Sequence, residues 1–507
     1  MEYPAFIGGS YESESPLVDC ERTINWYVEK TESGGATKQK ALYPVPGVTQ
    51  MKLDEEANPA VSFGNDVAAA MRVGPGRGHF FENGHEFVVL KDVFFELMPS
   101  GTVLRAAGKV LNDGLPATIS SNGDGGGQIL VCSGGNAYIY AAGALTEVTA
   151  LRGKASMGAY LDGRFLVLDS ATSTLYLSAL LDGATWSTGT LYAQRTAGSD
   201  PWRSMIIVGK YIWLLGEKTS EAWYNAGTAP FPLSTVPQGF IEAGILGRFT
   251  ARAIGQAIYW LGEGPAGIPS VMRMSGSTPE VISTYPMSEL IRGYGKYDQV
   301  TADIQADRGH TFYILNFPGA ISWAYDLSTG IWCERGLWYQ GAWDASPMVN
   351  TVEAFGELRA LSTKSGGVYR IDPKSSYWPS GRPIDPKSAI TDEDVERPIR
   401  RLRRAPAIEN ENKRVYYSEL ELAIEPGLGN TVDPGSDPHV MMRMSNDAGK
   451  TWGPERWRSA GKRGEYGHSI QWHRLGSAKR RVFEVSTTNV IPWRVTAAYL
   501  TVGNQGG

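Results

Sequence analysis

One short motif carries residue types found in enzymes that cleave sugars. Residues 445–452 read Ser-Asn-Asp-Ala-Gly-Lys-Thr-Trp and fit the pattern S-x-D-x-G-x-T-W, the form of an Asp-box turn. In such a turn the aspartate accepts hydrogen bonds from backbone N–H groups, and the glycine takes a conformation that other residues avoid. The tryptophan packs the turn against a sheet. The motif predicts a structural turn built by Ser445, Asp447, Gly449, Thr451 and Trp452.

Cleavage of a glycosidic bond needs more than this turn. A sialidase-like enzyme would carry several such boxes across a propeller, together with an arginine cluster for the substrate carboxylate, a tyrosine nucleophile and its acidic partner. The sequence contains one box, and it lies outside the part of the chain that repeats. We therefore predict no enzyme and no catalytic residue, with a sialidase-like propeller glycan hydrolase as an alternative.

No spacing in the sequence predicts a metal ion or a cofactor. The six histidines form no HExxH pattern, and the Gly-rich run at residues 120–128 lacks the Gly-Lys-Ser/Thr of a phosphate loop. Residues 392–394 (Asp-Glu-Asp) could hold calcium, but a solvated acidic run is the expected interpretation. Cys20, Cys132 and Cys333 match neither a zinc site nor a disulfide framework, so buried free thiols are expected.

A basic stretch offers contacts for an anionic partner. Five arginines lie within residues 397–404, and further basic residues follow between 456 and 481. Guanidinium groups suit phosphates and carboxylates equally. A solvated strand face, a protein interface and direct nucleic-acid contact all stay open, although no nucleic-acid-reading motif is present. The candidate contacts are Arg397, Arg400, Arg401, Arg403, Arg404, Arg480 and Arg481.

The charge of the chain is unevenly distributed. From Val395 onward there are 18 Lys/Arg and 12 Asp/Glu, a formal charge of +6, whereas the whole chain carries −5. Residues 1–394 therefore carry −11. Such polarity predicts either an end-on partner or an uneven solvated surface.

The middle of the chain repeats a short apolar run that begins at a glycine. Seven such runs start at Gly84, Gly127, Gly163, Gly209, Gly255, Gly309 and Gly356. Their spacing is typical of propeller blades, and the 60 glycines and 11% aromatic residues also favour an all-β protein with many turns. We predict a β-propeller with seven blades, or six if the last unit completes the first blade.

A Pro-rich, charged segment separates the repeats from a different pattern. After residue 398 several runs alternate between apolar and polar residues, which predicts a half-buried antiparallel sheet in a β-sandwich or barrel. The predicted division is an N-terminal arm at 1–60, a propeller at 61–372, a linker at 373–398 and a C-terminal domain at 399–507. Helical periodicity is confined to a short stretch at 287–292, and residues 325–332 predict a tight hairpin. Neither a secretory signal nor a membrane-spanning run is visible.

Both ends of the chain contain stretches that are similar to one protein family. The N-terminal similarity lies in R-T-I-N-W-Y-V-E (22–29) and A-L-Y-P-V-P-G-V (41–48). The C-terminal similarity lies in P-I-R-R-L-R-R-A-P-A-I (398–408), M-R-M-S-N-D-A-G-K-T-W (442–452) and R-L-G-S-A-K-R-R-V-F-E-V-S (474–486). The sequence resembles the packaged-DNA stabilisation proteins, also called tail hub or nozzle proteins, of short-tailed bacteriophages.

The resemblance implies a structural role in the virion tail. It implies a homo-oligomeric ring of six copies below the portal and its adaptor, made in the cytoplasm of the bacterial host. Packaged double-stranded DNA would pass its channel without sequence-specific binding, and tail spikes, fibres or a needle would attach nearby. No catalytic residues carry over from that family. A free-standing propeller scaffold that binds other proteins is the second alternative.

Overall fold

The computed structural model describes residues 1–33, 35–51, 70, 74–195, 197–264, 267–379 and 396–503. Within these ranges the chain is almost entirely β-structure with one α-helix. Five strands come first along the chain: β1 (Tyr11–Glu12), β2 (Cys20–Ile24), β3 (Trp26–Lys30), β4 (Lys40–Pro44) and β5 (Gly47–Gln50). They do not form a sheet of their own but complete sheets built by later residues.

The next strands form the blades of a propeller. The first four blades contain β6 (Gly76–Glu82), β7 (His85–Leu90), β8 (Val93–Leu97) and β9 (Val103–Lys109); β10 (Thr118–Ser121), β11 (Gln128–Ser133), β12 (Asn136–Ala141) and β13 (Ala144–Glu147); β14 (Met157–Leu161), β15 (Arg164–Asp169), β16 (Thr174–Ala179), β17 (Asp182–Trp186) and β18 (Tyr192–Gln194); and β19 (Trp202–Val208), β20 (Tyr211–Gly216), β21 (Ser220–Asn225) and β22 (Leu233–Ile241). The last three contain β23 (Arg252–Ile254), β24 (Ala257–Glu263), β25 (Pro269–Ser275) and β26 (Thr278–Val281); β27 (Thr301–Asp307), β28 (His310–Asn316), β29 (Ser322–Asp326), β30 (Ile331–Tyr339) and β31 (Ala342–Ala345); and β32 (Met348–Ala354), β33 (Glu357–Ser362) and β34 (Val368–Asp372).

The seven blades close into a ring. The first strand of each blade contacts the first strand of the next, and β32 of the seventh blade contacts β6 of the first. The outer strand of the seventh blade is β5, which pairs antiparallel with β34. An N-terminal strand therefore completes the last blade, and the prediction of seven blades is confirmed.

The repeated glycine lies in the turn between the first and second strands of every blade. All seven glycines have φ between +59° and +85°. Other residues rarely adopt this backbone conformation, and glycine does so without a steric cost. The apolar run that follows each glycine is therefore the second strand of a blade, buried between its neighbours. The first strand of each blade lies toward the ring axis and has a weaker apolar pattern.

Two shorter elements match their sequence patterns. The helix α1 spans Tyr285–Tyr294, and the hydroxyl of Thr284 caps its start by accepting the Met287 N–H. The tight turn predicted within residues 325–332 joins β29 to β30. Short 3₁₀ helices span Thr149–Leu151 and Tyr297–Gln299.

The C-terminal strands form a β-sandwich. Strands β35 (Tyr377–Pro379) and β36 (Glu396–Pro398) pair in a separate two-stranded sheet. The C-terminal strands of the sandwich are β37 (Arg401–Arg404), β38 (Ile408–Glu409), β39 (Val415–Ile424), β40 (His439–Ser445), β41 (Arg456–Ser459), β42 (Ile470–Ala478), β43 (Arg480–Thr487) and β44 (Val495–Gly503). One sheet has the order β2-β37-β43-β40-β41, and the other has the order β3-β4-β44-β39-β42. Their shared core includes Trp26, Leu42, Trp472, Phe483 and Trp493.

The sandwich and the propeller share a continuous sheet. Strand β2 pairs parallel with β30 of the sixth blade at Ile24 and Glu334. Ile24 and Leu402 of the sandwich also pack with Trp323 and Trp332 of that blade. The two domains therefore meet along an apolar contact as well as through backbone pairing.

Both ends of the described chain lie in the sandwich. Strands β2, β3 and β4 belong to its two sheets, and Glu2 bridges Tyr499 of β44. The propeller is thus inserted between residue 46 and residue 396. The division at residues 60, 372 and 398 stays a prediction, because strand pairing alone does not define independent folding units.

Three features of the described part of the chain concern disulfides, membrane spans and metal ions. Cys20, Cys132 and Cys333 are buried and unpaired, as expected. Among the described residues, no helix is long and apolar enough to cross a membrane, and no group of three His, Cys, Asp or Glu side chains could hold a metal ion. The acidic run at 392–394 lies outside the described residues.

Candidate functional site: the Asp-box turn and the arginine-rich strand

The Asp-box residues close a tight turn after β40. The Ser445 hydroxyl donates to Asp447 Oδ1 at 2.6 Å and accepts the N–H groups of Asp447 and Gly449. Asp447 in turn accepts the N–H of Thr451 at 2.8 Å and its hydroxyl at 2.6 Å. Gly449 has a φ of +91°, which suits the residue that lacks a Cβ. Hydrogen bonds among Ser445, Asp447, Gly449 and Thr451 thus hold the turn together.

The Asp447 carboxylate is fixed in its ionised form. The hydrogen bond from Ser445, followed by those from Thr451, lowers the pKa of Asp447 to about 2. A general acid for sugar cleavage needs a raised pKa so that it holds a proton near neutral pH. The pKa of Asp447 is lowered instead of raised, and both of its carboxylate oxygens are hydrogen-bonded within its own turn.

Trp452 connects the turn to the arginine-rich strand. Its ring lies between the guanidinium groups of Arg404 and Arg443, at 5.0 Å and 4.6 Å. Arg404 Nε and Arg443 Nε both donate to the buried Glu484 carboxylate, at 2.9 Å and 2.5 Å. Cation–π stacking and charged hydrogen bonds therefore hold the Asp-box turn against strands β37 and β43.

Arg403 is enclosed within the chain. Its side chain is 0% exposed. Its Nε, Nη1 and Nη2 atoms donate to carbonyl oxygens in the segment 5–9 at 2.6–2.8 Å. Nη1 also donates to Thr23 Oγ1 at 2.9 Å, and Nη2 donates to the Glu21 carboxylate. Because every nitrogen of the guanidinium is engaged, Arg403 ties the N-terminal segment to β37.

Arg401 is buried where the sandwich meets the propeller. It is 1% exposed, and its Nη2 donates to Ser376 Oγ at 3.2 Å. No carboxylate pairs with it among the described residues, and its Nε and Nη1 atoms have no hydrogen-bond acceptor there. Burial, helped by the nearby positive Arg308, lowers the pKa of Arg401 to about 9.

Two further arginines stack on aromatic rings of the sixth blade. The guanidinium of Arg397 lies 4.6 Å from the ring of Tyr339, and that of Arg400 lies 4.3 Å from Trp338. Arg400 also approaches the Glu455 carboxylate at 3.5 Å. These contacts partly remove Arg400 from water, and this burial lowers the pKa of its guanidinium.

The last two arginines begin β43 and differ in their surroundings. Arg480 pairs with Glu409 near the surface. Arg481 is buried, donates from Nε to Asn446 Oδ1 at 3.0 Å and from Nη1 to the Leu475 carbonyl, and stacks on Tyr417 at 4.8 Å. The structure thus brings Arg404 and Arg481 to the Asp-box turn and places Arg480 apart. Partner contact by any of the seven arginines stays a prediction.

Sequence reasoning missed a buried charged contact between sandwich and propeller. His310, in β28, lies between Asp326 Oδ2 at 2.8 Å and Glu29 Oε2 of β3 at 2.7 Å. Two carboxylate acceptors, one at each ring nitrogen, favour the doubly protonated imidazolium. Burial opposes this charge, but the bonds to Glu29 and Asp326 outweigh it and raise the pKa of His310. His310 and Glu29 are 281 positions apart in the chain, so no local sequence motif predicts this contact.

Two family models cover most of the chain. Residues 61–347 match the family described as "Bacteriophage P22 Gp10, beta-propeller". Residues 400–503 match the family described as "Bacteriophage P22 Gp10, beta-sandwich". The chain belongs to the bacteriophage P22 Gp10 family. It is therefore a structural protein of the phage tail, from a family of packaged-DNA stabilisation, or tail hub, proteins.

The P22 Gp10 family assignment agrees with the fold of both domains. The first match covers the first six blades of the propeller, and the second falls on the sandwich that carries the Asp-box turn. The resemblance to tail hub proteins, and an all-β propeller with an appended sandwich, are both confirmed. No match was found among curated proteins.

Solved structures show a weak likeness. The N-terminal domain of Nup159 is 7% identical, with 69% of this chain and 98% of that chain covered and a TM-score of 0.37. YCF48 bound to D1 peptide is 10% identical, with 63% and 95% covered and a TM-score of 0.35. BBS1N in complex with ARL6DN is 10% identical, with 64% and 96% covered and a TM-score of 0.37. Similarities at these scores carry no argument about this member of the P22 Gp10 family.

Proposed function

We propose that this tail protein forms a closed ring of six copies that serves as the nozzle, or hub, of a short tail. The ring lies below the portal and adaptor, retains packaged DNA and provides the conduit for DNA ejection. The observation that carries the proposal is the family match over both domains, at residues 61–347 and 400–503. A ring of identical copies needs heterologous contacts whose rotation closes.

The charge distribution supports a conduit that does not hold DNA tightly. Residues 1–394 carry a formal charge of −11, within a chain total of −5. Strong phosphate contacts would slow the passage of DNA, because each neutralised phosphate adds to binding. Five of the C-terminal arginines stack on aromatic rings or lie buried beside protein carbonyls, namely Arg397, Arg400, Arg403, Arg404 and Arg481. We propose passage of double-stranded DNA without sequence-specific binding.

The partners follow from this position in the tail. We propose direct contact with the portal–adaptor proteins at one end of the ring, and with tail spikes, fibres or a needle at the other. The chain would be made in the cytoplasm of the bacterial host before it joins the particle.

We propose that the chain is not an enzyme. The geometry of Asp447, engaged by Ser445 and Thr451, supports a turn and not an acid catalyst. Turnover of a fluorogenic sialoside or polysaccharide by the purified chain, abolished in folded Asp447→Ala, would revive the glycan hydrolase alternative. A monomer absent from all particles would instead favour the free-standing scaffold.

The ring can be tested directly on virions. Immunogold labelling with antibody to this chain should mark a single vertex beneath the head, and quantitative gels should give six copies per particle. Cryo-electron microscopy of the same tails should place six copies around the tail axis. Labelling of the tail with one copy per particle would contradict the ring, and absence of label from disrupted particles would contradict the nozzle as well.

A further inference from the structure

The hairpin between β1 and β2 ends in an uncovered apolar tip. Its turn is closed by hydrogen bonds from Ser13 N–H to the Asp19 carbonyl at 3.1 Å and from Val18 N–H to the Ser15 carbonyl at 2.8 Å. At the tip Leu17 is 48% exposed and Val18 is 76% exposed. A partner that covers these two adjacent apolar side chains would be bound more favourably, because apolar surface is removed from water.

The tip carries acidic residues, and ion pairs at the base of the hairpin hold it in place. Glu14 is exposed near the apolar pair, and no ion pair engages Glu14 or Asp19 among the described residues. At the base of the hairpin, Glu12 approaches Arg404 at 3.4 Å and Glu21 pairs with Arg403. The arginine-rich strand and the Asp-box turn therefore preorganise this tip, which lowers the entropy cost of binding.

An open groove lies at the other end of the sandwich. Its volume is about 760 Å³, within the usual range of binding pockets. It is formed by the loop 427–434, residues 374–377 and Arg463, with Val432 at 71% exposure. The groove thus combines uncovered apolar surface with a polar rim.

Among the described side chains that lack an ion pair, the groove lining has an excess of one positive charge. Lys374 and Arg463 are exposed, and neither forms an ion pair among the described residues. Of the two carboxylates in the lining, Asp372 lies 3.9 Å from Arg370, whereas Asp433 accepts the Ser436 hydroxyl and keeps its negative charge. An acidic apolar segment therefore complements the groove in charge and in polarity.

The tip and the groove of one chain cannot meet. Arg22 of β2 lies level with Arg404, Glu484 and Arg443, which places the start of β2 at the end of β40. The groove lies at the start of β40, where Asn430 donates to the Val490 carbonyl. The seven residues of β40 separate the two ends by about 20 Å. Only another chain can bring a tip to this groove.

We propose that the β1–β2 tip of one copy inserts into the 427–434 groove of the next copy in the tail. Leu17 and Val18 enter beside Val432, while Glu14 and Asp19 face Lys374 and Arg463. Each copy then offers one tip and one groove at opposite ends, so the contact is head-to-tail, which is the heterologous kind of contact that a closed ring requires. The inference rests on the proposed ring and names the surfaces that build it.

Crosslinking in assembled virions tests this contact. Chains carrying Val18→Cys with Val432→Cys are treated with a short bis-maleimide, because a direct disulfide would require Cα atoms within about 7 Å. The three native cysteines are buried and do not compete. We expect covalent multimers on denaturing gels. The matched control, Val18→Cys with Val281→Cys on the propeller, should give monomers, and so should each single variant.

The possible outcomes separate this contact from the ring itself. Several copies per particle without multimers, or with equal multimers in the control pair, would overturn the tip–groove contact and leave the ring intact. One copy per particle would overturn both. Multimers specific to Val18 and Val432 support the contact.

A charge exchange covers the case in which the cysteine variants fail to assemble. Glu14→Lys and Arg463→Glu should each lower incorporation into particles, by about tenfold for a lost charge pair worth roughly 1.4 kcal/mol. The double variant should restore incorporation. Normal incorporation of both single variants, or no restoration in the double variant, would contradict the contact, provided that circular dichroism shows each chain folded.

Discussion

At the scale of single residues, Asp447 supports its turn through three hydrogen bonds from Ser445 and Thr451. We expect Asp447→Ala to lower the melting temperature of the sandwich, because these donors lose their acceptor. Lys450→Ala, at an exposed position in the same turn, is the matched control and should leave it unchanged. Since the pKa of Asp447 is lowered to about 2, its contribution should persist at neutral pH and disappear as the pH falls toward 2. Equal melting temperatures of both variants would contradict this role.

His310 makes the seam between sandwich and propeller sensitive to pH. Its pKa is raised, so its stabilising contribution is complete below the ordinary value of about 6.5 and is lost as pH rises through the raised value. The free energy of unfolding of the native chain should therefore fall, relative to His310→Gln, as the pH rises above about 6.5. Denaturant titrations across this range measure the difference. Parallel pH profiles would show that Glu29 and Asp326 do not hold a proton on this ring.

The residue scale also shows what sequence could predict. The Asp-box was predictable because its hydrogen bonds join residues within eight positions. Glu484 and His310 were not, because their partners come from distant strands: His310 and Glu29 are 281 positions apart. The burial of Arg403 could not be predicted either, because the same run of arginines in the sequence is compatible with a solvated strand and with a buried one.

At the scale of elements, β37 joins the N-terminal segment to the sandwich through Arg403. We expect Arg403→Met to destabilise the chain by about 3–5 kcal/mol, because Glu21 and the carbonyl groups of segment 5–9 lose their buried donor. The control Arg480→Met removes a near-surface pair with Glu409 and should cost about 0–1 kcal/mol. Chemical denaturation compares the two. Similar costs would mean that solvent replaces the Arg403 contacts.

The elements differ in how well the sequence predicts them. The second strand of each blade was predictable because a glycine with positive φ precedes a buried apolar run, as at Gly163 and Gly309. Strand β5 was not, since it belongs to the seventh blade through its pairing with the distant strand β34, in which Ile371 lies opposite Val48. A short strand that completes a distant sheet has no partner nearby to impose a pattern.

At the scale of the whole molecule, the chain crosses between its two domains twice. It leaves the sandwich after β4, closes the seventh blade with β5, and returns to the sandwich at β37. The sixth blade and one sandwich sheet also form a single twelve-stranded sheet through β2 and β30. Opening either domain therefore disturbs strands that the other domain needs.

This shared architecture predicts cooperative unfolding of propeller and sandwich. Leu42 is buried in the sandwich core and Val48 in the seventh blade, only six positions later. Leu42→Ala should cost about 2–5 kcal/mol and Val48→Ala somewhat less, and both should shift the same calorimetric transition. Val18→Ala, at the exposed tip, should leave the transition of the isolated chain unchanged. Two separate transitions, one shifted by Leu42→Ala and the other by Val48→Ala, would show that the domains unfold independently and that the continuous sheet does not couple them.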